Sequence, residues 1–255
     1  MRLTVVGLGK VGFFLAHYLQ SLGHEVLGYD TNERHVEYIN HFGNPYSVAE
    51  QLPQGIRPVG AVTDPSKAYE HAEAAVLIVP TPQVGDRLSS ACIRKAGEEA
   101  RRLMPRDAHL LIASTLDPRD AASLCEDLNA VYTPIFIRLG CVFSDLQDQK
   151  YFLIGVPPGI NPVVAVSVWK WNGWVGIKDR NSYLGFAKPA GVPDRPIICA
   201  DPATIACAKL AINATLSSRI AWANDVAMRA KAFGADPDVV CKILGMAPRI
   251  GPAYS

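Results

Sequence analysis

The chain has 255 residues, of which 49% are hydrophobic, so it can bury a substantial core in one large or two small domains. Its formal net charge of +1 does not indicate the basic surface that nucleic-acid binding needs. Its longest apolar runs are shorter than the roughly 20 residues that a membrane-spanning helix needs. The amino terminus enters a strand pattern directly, and the six cysteines form no CxxC pair, so we expect a cytoplasmic protein without a zinc cluster, nucleic-acid partner or membrane segment.

The first 155 residues alternate continuous apolar runs with amphipathic segments of helical period. The predicted strands are RLTVVGLG, HEVLGYD, AAVLIVPTP, AHLLIAST and FLIGVP. Between the first two lies VGFFLAHYLQSLG, which predicts a helix. This alternation indicates an α/β fold, a Rossmann-type doubly wound parallel sheet covered by helices on both faces.

The chain changes character after this region. Residues 156–200 contain repeated prolines and three tryptophans, and they support no assignment. From residue 201 the pattern is helical, with a long apolar-faced helix over 203–232 that we expect to be followed by a short helix near Asp236. We therefore divide the chain into domains 1–200 and 201–255.

Three residues mark the ends of the long helix. Asp201 is a predicted N-cap, because its carboxylate can accept hydrogen bonds from the first backbone N–H groups. Pro202 suits the first helical position, where its missing N–H costs nothing. Gly234 is the predicted C-terminal stop.

The first predicted strand runs into VVGLGKVG, which places Gly7, Gly9 and Gly12 in the spacing GxGxxG at the start of a helix. Glycines there allow a tight turn and a close approach of the backbone to a pyrophosphate. The second strand ends at Asp30, where a carboxylate accepts hydrogen bonds from the ribose of NAD and repels the 2′-phosphate of NADP. The pattern predicts an NAD site, and a glycine turn beside a surface aspartate is the plainer alternative.

Two later strands end in VPTP (79–82) and in Ser114-Thr115. Ligands of open α/β sheets bind at the carboxyl ends of the strands, so we expect both segments beside the nicotinamide. Hydroxyls that only cap the following helix are the alternative. The predicted cofactor-binding set is Gly7, Gly9, Val11, Gly12, Asp30, Val79, Pro80, Thr81, Ser114 and Thr115.

The order of these motifs resembles that of the UDP-glucose/GDP-mannose dehydrogenase family. The matching segments are the GxGxxG, YDTN, VPTP, ST, YTPIFIRLG (132–140) and the long run from AKLAINATL to APRIG (208–251). Family members oxidise a sugar alcohol twice with NAD, through an aldehyde and a cysteine thioester to a carboxylate. The resemblance implies NAD as cofactor, a nucleotide sugar or related sugar-like substrate, and a homodimer formed through helix 203–232.

The resemblance also implies roles for individual residues. Lys209 would stabilise developing oxyanion charge, Asn213 would hold the sugar or a water, and Thr115 would help to order a water. A spacing of four places Lys209 and Asn213 on one helix face, which supports this reading over a snorkelling lysine beside an idle asparagine. The implied substrate-binding residues are Arg138, Arg249 and Tyr254, the last two reaching the partner's substrate in a dimer.

The chain departs from the family pattern where proton chemistry is expected. Ile135 and Leu139 stand where the family segment NPEFLREG has two acidic residues, and aliphatic side chains cannot act as a base. We expect the family's Gly-Gly-x-Cys segment and third domain to be lacking, and Cys141 is a weak substitute nucleophile. The resulting hypothesis is an NAD-dependent oxidoreductase that is impaired in the four-electron oxidation to an acid.

Two alternatives stay open. A catalytically degenerate relative would bind NAD and dimerise as a scaffold or regulatory subunit, and Ile135 and Leu139 favour it. The other alternative is a dehydrogenase that acts on a different small molecule. Such an enzyme would share the plan of an NAD domain followed by a long helix, as the hydroxyacid dehydrogenases do. The retained Lys209, Asn213 and Thr115 favour an oxidoreductase.

Overall fold

The structure is a computed structural model that describes residues 1–161, 163–169, 197–248 and 250. Its strands are β1 (Arg2–Val6), β2 (Glu25–Tyr29), β3 (Ala61–Val62), β4 (Ala74–Leu77), β5 (Gln83–Val84), β6 (Arg87–Leu88), β7 (His109–Ile112), β8 (Ala130–Tyr132), β9 (Phe152–Gly155) and β10 (Ile197–Ala200). Its helices are α1 (Gly12–Ser21), α2 (Glu33–Phe42), α3 (Pro65–Tyr69), α4 (Ala91–Leu103), α5 (Pro118–Asp127), α6 (Val142–Gln147), α7 (Val163–Val168), α8 (Pro202–Ala232) and α9 (Pro237–Met246). Most of the tryptophan-rich stretch lies outside the described residues.

Eight of these strands form one sheet in the order β10-β9-β8-β7-β4-β1-β2-β3. The neighbouring strands are parallel except at β8 and β9, which pair antiparallel through Tyr132 and Gly155. The predicted doubly wound sheet is therefore confirmed, with one departure: β9 and β10 run opposite to the other six strands. The segment between β8 and β9 starts and ends at the same edge of the sheet, so the chain turns back instead of crossing over.

The core lies where the apolar runs predicted it. The strand β4 is buried along its whole length, and in β1 only Arg2 is exposed. Helix α1 is buried from Gly12 to Leu19, because its side chains are apolar on nearly every face. Strands that are buried on both faces have continuous apolar sequences, so this part of the fold could be predicted from the sequence.

One polar side chain within this core connects α1 to a distant loop. The Nδ1 atom of His17 lies 2.8 Å from the Phe13 carbonyl oxygen, and its Nε2 atom accepts the backbone N–H of Val59 at 3.3 Å. The imidazole must therefore be neutral, with its proton on Nδ1. A second proton on Nε2 would oppose the Val59 N–H.

We expect the stability of the protein to fall as the pH drops below about 6.5, the ordinary pKa of histidine. Burial lowers the pKa of His17, so below that pH the unfolded chain binds a proton that the folded chain resists. A shifted group contributes at most about 1.4 kcal/mol per pH unit. Urea unfolding of the wild type and of His17→Gln at pH 7.5 and pH 5.5 measures this, and the variant should lose less stability over the interval. Equal losses would contradict the assignment.

The structure divides into two compact units, residues 1–206 and 207–255. The predicted caps of α8 are confirmed: the Thr204 N–H donates to Asp201 Oδ1 at 2.9 Å, and Gly234 adopts a φ of +73°. In the second unit, Lys209 and Ala230 are the only buried side chains among the described residues. The apolar residues of α8 and α9 are largely exposed, including Trp222, Met228 and Ile243.

Two kinds of feature are absent from the described ranges. None of the helices there combines the length and apolar character needed to cross a membrane. Within the same ranges, no cluster of three or more histidine, cysteine, aspartate or glutamate side chains is arranged to hold a metal ion.

Candidate functional site

The glycine loop connects β1 to α1 and has two glycines that the fold requires. Gly7 has a φ of +92°, and a Cβ atom there would lie 2.7 Å from the Ile78 carbonyl oxygen. A Cβ atom on Gly12 would lie 1.8 Å from the Gly7 carbonyl oxygen. By contrast, a Cβ atom on Gly9 would meet nothing within 4 Å. Gly9 therefore faces open space, where the motif predicts the pyrophosphate.

Asp30 lies beside this loop, directly after β2. Its Oδ2 atom accepts the Leu8 N–H at 2.8 Å, and its Oδ1 atom accepts the Asn32 N–H at 2.9 Å. Each carboxylate oxygen has more than one lone pair, so both can still accept a ribose hydroxyl. The carboxylate thus holds the glycine loop against β2, a second role that the sequence did not reveal.

The predicted VPTP and Ser-Thr segments closely follow the adjacent strands β4 and β7. Ser114 is 3% exposed, and its hydroxyl donates to the Val79 carbonyl oxygen at 2.8 Å. This bond joins the two strand ends. Thr81 and Thr115 are half-buried and Pro80 is exposed. Because β7, β4, β1 and β2 are parallel neighbours, all these segments lie at one edge of the sheet.

A charged network beside VPTP was not predicted. The hairpin β5–β6 follows VPTP, and its Asp86 accepts from Arg119 Nη1 at 3.1 Å. Arg119 also donates to Asp117 at 2.8 Å, and Arg87 of the hairpin donates to Asp120 at 2.5 Å. The bonds from Arg119 hold the pKa of the buried Asp117 carboxyl well below its usual range. The network connects the hairpin to the start of α5, where Asp117 is the N-cap and Pro118 is the first helical residue.

The segment after β8 contains the aliphatic replacements. Ile135 is 5% exposed and belongs to the core, whereas Leu139 is 67% exposed. Arg138, predicted to bind substrate, forms an ion pair with Asp145 at 2.6 Å. Cys141 is half-buried and precedes α6. Ile135 therefore serves packing, and the guanidinium of Arg138 is already partnered by a carboxylate.

Glu50 is a further residue that the sequence did not single out. It belongs to the YSVAEQL segment (46–52), which lacks the glutamate-proline-glycine patch that the resemblance implies near these positions. Its carboxylate accepts the backbone N–H groups of Val142 and Phe143 at 2.8 and 2.7 Å. The loop after α2 is thereby bonded to the start of α6.

Lys209 is a buried cation on α8. Lys209 is only 7% exposed, and burial lowers the pKa of its ammonium group to about 8. Perturbed lysines of this kind are found at sites where charge develops during a reaction. Asn213, one helical turn further on, is exposed. The predicted Arg249 and Tyr254 lie outside the described residues.

Comparison with known proteins settles the family. Residues 1–159 match the NAD binding domain of the UDP-glucose/GDP-mannose dehydrogenase family, and residues 203–255 match its central domain. The chain belongs to this family. Since the first match is an NAD binding domain, NAD is the cofactor, as the glycine loop and Asp30 predicted.

Relatives in the family are distant in sequence. The chain is 25% identical to UDP-glucose 6-dehydrogenase AglM of Haloferax volcanii, over 100% of this chain and 60% of that protein. A UDP-glucose dehydrogenase structure from Pyrobaculum islandicum superposes with a TM-score of 0.77 at 23% identity, over 99% of this chain and 58% of that one. A GDP-mannose dehydrogenase structure from Pseudomonas aeruginosa superposes with a TM-score of 0.76 at 21% identity, over 96% of this chain and 56% of that one. The chain thus spans 56–60% of the length of these family members, and the two structures establish its fold.

Proposed function

We propose that the protein is an NAD-dependent dehydrogenase acting on the alcohol group of a nucleotide sugar or a related sugar-like substrate. The observation that carries the proposal is the glycine loop, which Asp30 holds with Gly9 facing open space. The relatives' names, UDP-glucose 6-dehydrogenase and GDP-mannose dehydrogenase, support the substrate class. The cofactor would be held by the cofactor-binding set predicted from the sequence, whose first member is Gly7 and whose last is Thr115.

The proposed chemistry is hydride removal from a carbon that bears a hydroxyl group. NAD, when bound, supplies the acceptor for the hydride. Lys209 would stabilise the negative charge that develops on the substrate oxygen, since a poorly solvated cation interacts strongly with an alkoxide. With a pKa of about 8, it remains mostly protonated at neutral pH. Asn213 would hold the sugar, and Thr115 would order a water.

We propose that oxidation to the acid is impaired. That step needs a base to activate water, and Ile135 and Leu139 cannot exchange protons. The burial of Ile135 in the core supports this, because a carboxylate at such a position would require a different local packing. Oxidation would then stop at the aldehyde or ketone.

NADH formation with a panel of UDP- and GDP-sugars tests the function. We expect turnover with at least one sugar, and a loss of about 10²- to 10³-fold in kcat for Lys209→Ala. Lys95→Ala, at an exposed lysine of α4, is the control and should behave like the wild type. One NADH per sugar, instead of two, would support the partial oxidation.

A non-catalytic scaffold that binds NAD is the second candidate, and Ile135 and Leu139 favour it because they cannot exchange protons. Firm NAD binding without turnover of any sugar nucleotide would support it over the dehydrogenase. Both candidates include a homodimer through helix 203–232, and the exposed Ile220, Trp222 and Met228 support such an interface. Sedimentation should show a dimer, and a monomer at micromolar concentration would overturn that assignment.

A further inference from the structure

Leu8, in the middle of the glycine loop, is hydrogen-bonded at both of its backbone polar atoms. Its N–H donates to Asp30. Its carbonyl oxygen lies 2.8 Å from Nε2 of His35 and 3.1 Å from the hydroxyl of Tyr46. The side chain of Leu8 is itself buried, and it packs so closely on Gly28 that a Cβ atom there would lie 2.8 Å from Leu8 Cδ1.

The roles of the two donors follow from elementary chemistry. A carbonyl oxygen only accepts, so Nε2 of His35 must carry a hydrogen. Burial, together with the charge of Asp30, raises the pKa of Tyr46, so its hydroxyl keeps its proton and can donate. A carbonyl has two lone pairs, and these two donors occupy both. The Leu8–Gly9 peptide plane therefore cannot rotate without breaking both of these hydrogen bonds, and the Gly7–Leu8 plane is held separately by the bond from the Leu8 N–H to Asp30.

Tyr46 reaches this carbonyl from a loop that is built to hold it. Its N–H donates to Asn44 Oδ1 at 2.8 Å, and the amide of Asn44 donates to the Glu50 carbonyl oxygen at 2.8 Å. Its ring packs edge-on against Phe13 of α1, with centroids 5.9 Å apart. The hydroxyl is thus held in place before any ligand arrives.

The fully hydrogen-bonded backbone of Leu8 determines what the loop can offer a ligand. The backbone N–H groups that follow it open α1, and the first N–H groups of a helix have no partner within the helix. Those groups bind phosphate only when the turn before them has the right conformation. That conformation depends on the direction of the Leu8 carbonyl.

We propose that Tyr46 is a positioning residue for NAD, with His35 as its partner. The two side chains hold the Leu8 carbonyl so that the glycine loop keeps the conformation that receives the diphosphate, and they act through the backbone of Leu8. The proposal rests on the cofactor site proposed above. It assigns a task to the 44–50 loop, for which the sequence supplied none.

Tyr46→Phe tests the proposal, because it keeps the ring packing and removes only the donor. We expect the Kd for NAD and for ADP-ribose to rise about 3- to 10-fold, the effect of one hydrogen bond. The Kd for adenosine, which has no diphosphate, should stay within twofold. His35→Leu should act similarly, whereas His35→Gln, which retains a donor, should recover most of the affinity. Tyr38→Phe, at an exposed tyrosine of α2, is the control.

Two results would overturn the proposal. One is a Tyr46→Phe variant that binds NAD as tightly as the wild type. The other is an equal loss of NAD and adenosine affinity, which would indicate a general disturbance of the fold. A wild-type protein that binds no NAD would instead refute the cofactor site itself, so the two failures are distinguishable.

Discussion

Gly12→Ala should cost the protein about 3 kcal/mol or more of stability and abolish NAD binding, whereas Gly9→Ala should weaken NAD binding with little loss of stability. At Gly12 the new methyl group would lie 1.8 Å from the Gly7 carbonyl oxygen and 2.8 Å from Ile78 Cγ2. Overpacking usually costs 1–3 kcal/mol, and here backbone must move.

Gly9 supplies the matched control for this prediction. Its methyl group would enter open space, so the unfolding free energy should change by less than about 1 kcal/mol. The same methyl group would stand where the diphosphate approaches the backbone, and we expect the affinity for NAD to fall by about 10-fold or more. Urea unfolding and NAD titration of both variants measure these effects. A Gly9→Ala protein that binds NAD normally would show that the cofactor does not approach this face.

Asp30→Ala should raise the Kd for NAD by about 10- to 100-fold. The carboxylate accepts two backbone N–H groups now, and it would also accept the ribose hydroxyls. Hydrogen bonds to a charged group contribute about 1.5–3 kcal/mol each, so losing the ribose contact alone accounts for the expected factor. Removal of the negative charge should also lessen the discrimination against NADP, whose 2′-phosphate the carboxylate repels.

Asp64→Ala controls for the loss of a structural aspartate. Asp64 caps α3 by accepting the Ser66 N–H at 2.9 Å, so its removal should cost about 1 kcal/mol of stability. It should leave the affinity for NAD unchanged. Asp30→Ala and Asp64→Ala variants that bind NAD equally well would refute the ribose role of Asp30. Fluorescence titration with NAD and NADP provides the measurement.

The segments that were predicted well are those whose signal is local. The apolar runs of β1 and β4 identify buried strands because parallel sheets are covered on both faces. The caps Asp201 and Gly234 depend on hydrogen bonds and backbone angles within a few residues. The direction of β9 was not predictable in this way, because an apolar run looks the same in a parallel and an antiparallel strand.

The residues of the candidate site also differ in whether a local sequence pattern predicted them. Gly7, Gly9, Gly12 and Asp30 form a motif whose spacing implies its geometry, so the sequence alone determined that the protein binds NAD. Ile135 shows the limit of such reasoning: its sequence position indicated a missing base, and only the structure shows a core side chain.

The sequence by itself thus determined the fold class, the family and the cofactor, because short-range patterns encode them. Tertiary structure alone decided that Tyr46 and His35 meet at the Leu8 carbonyl and that Glu50 reaches α6. Those contacts join residues as many as 93 positions apart. Their partners are selected by how helices and loops pack on the sheet, and no local pattern of residue types records that packing.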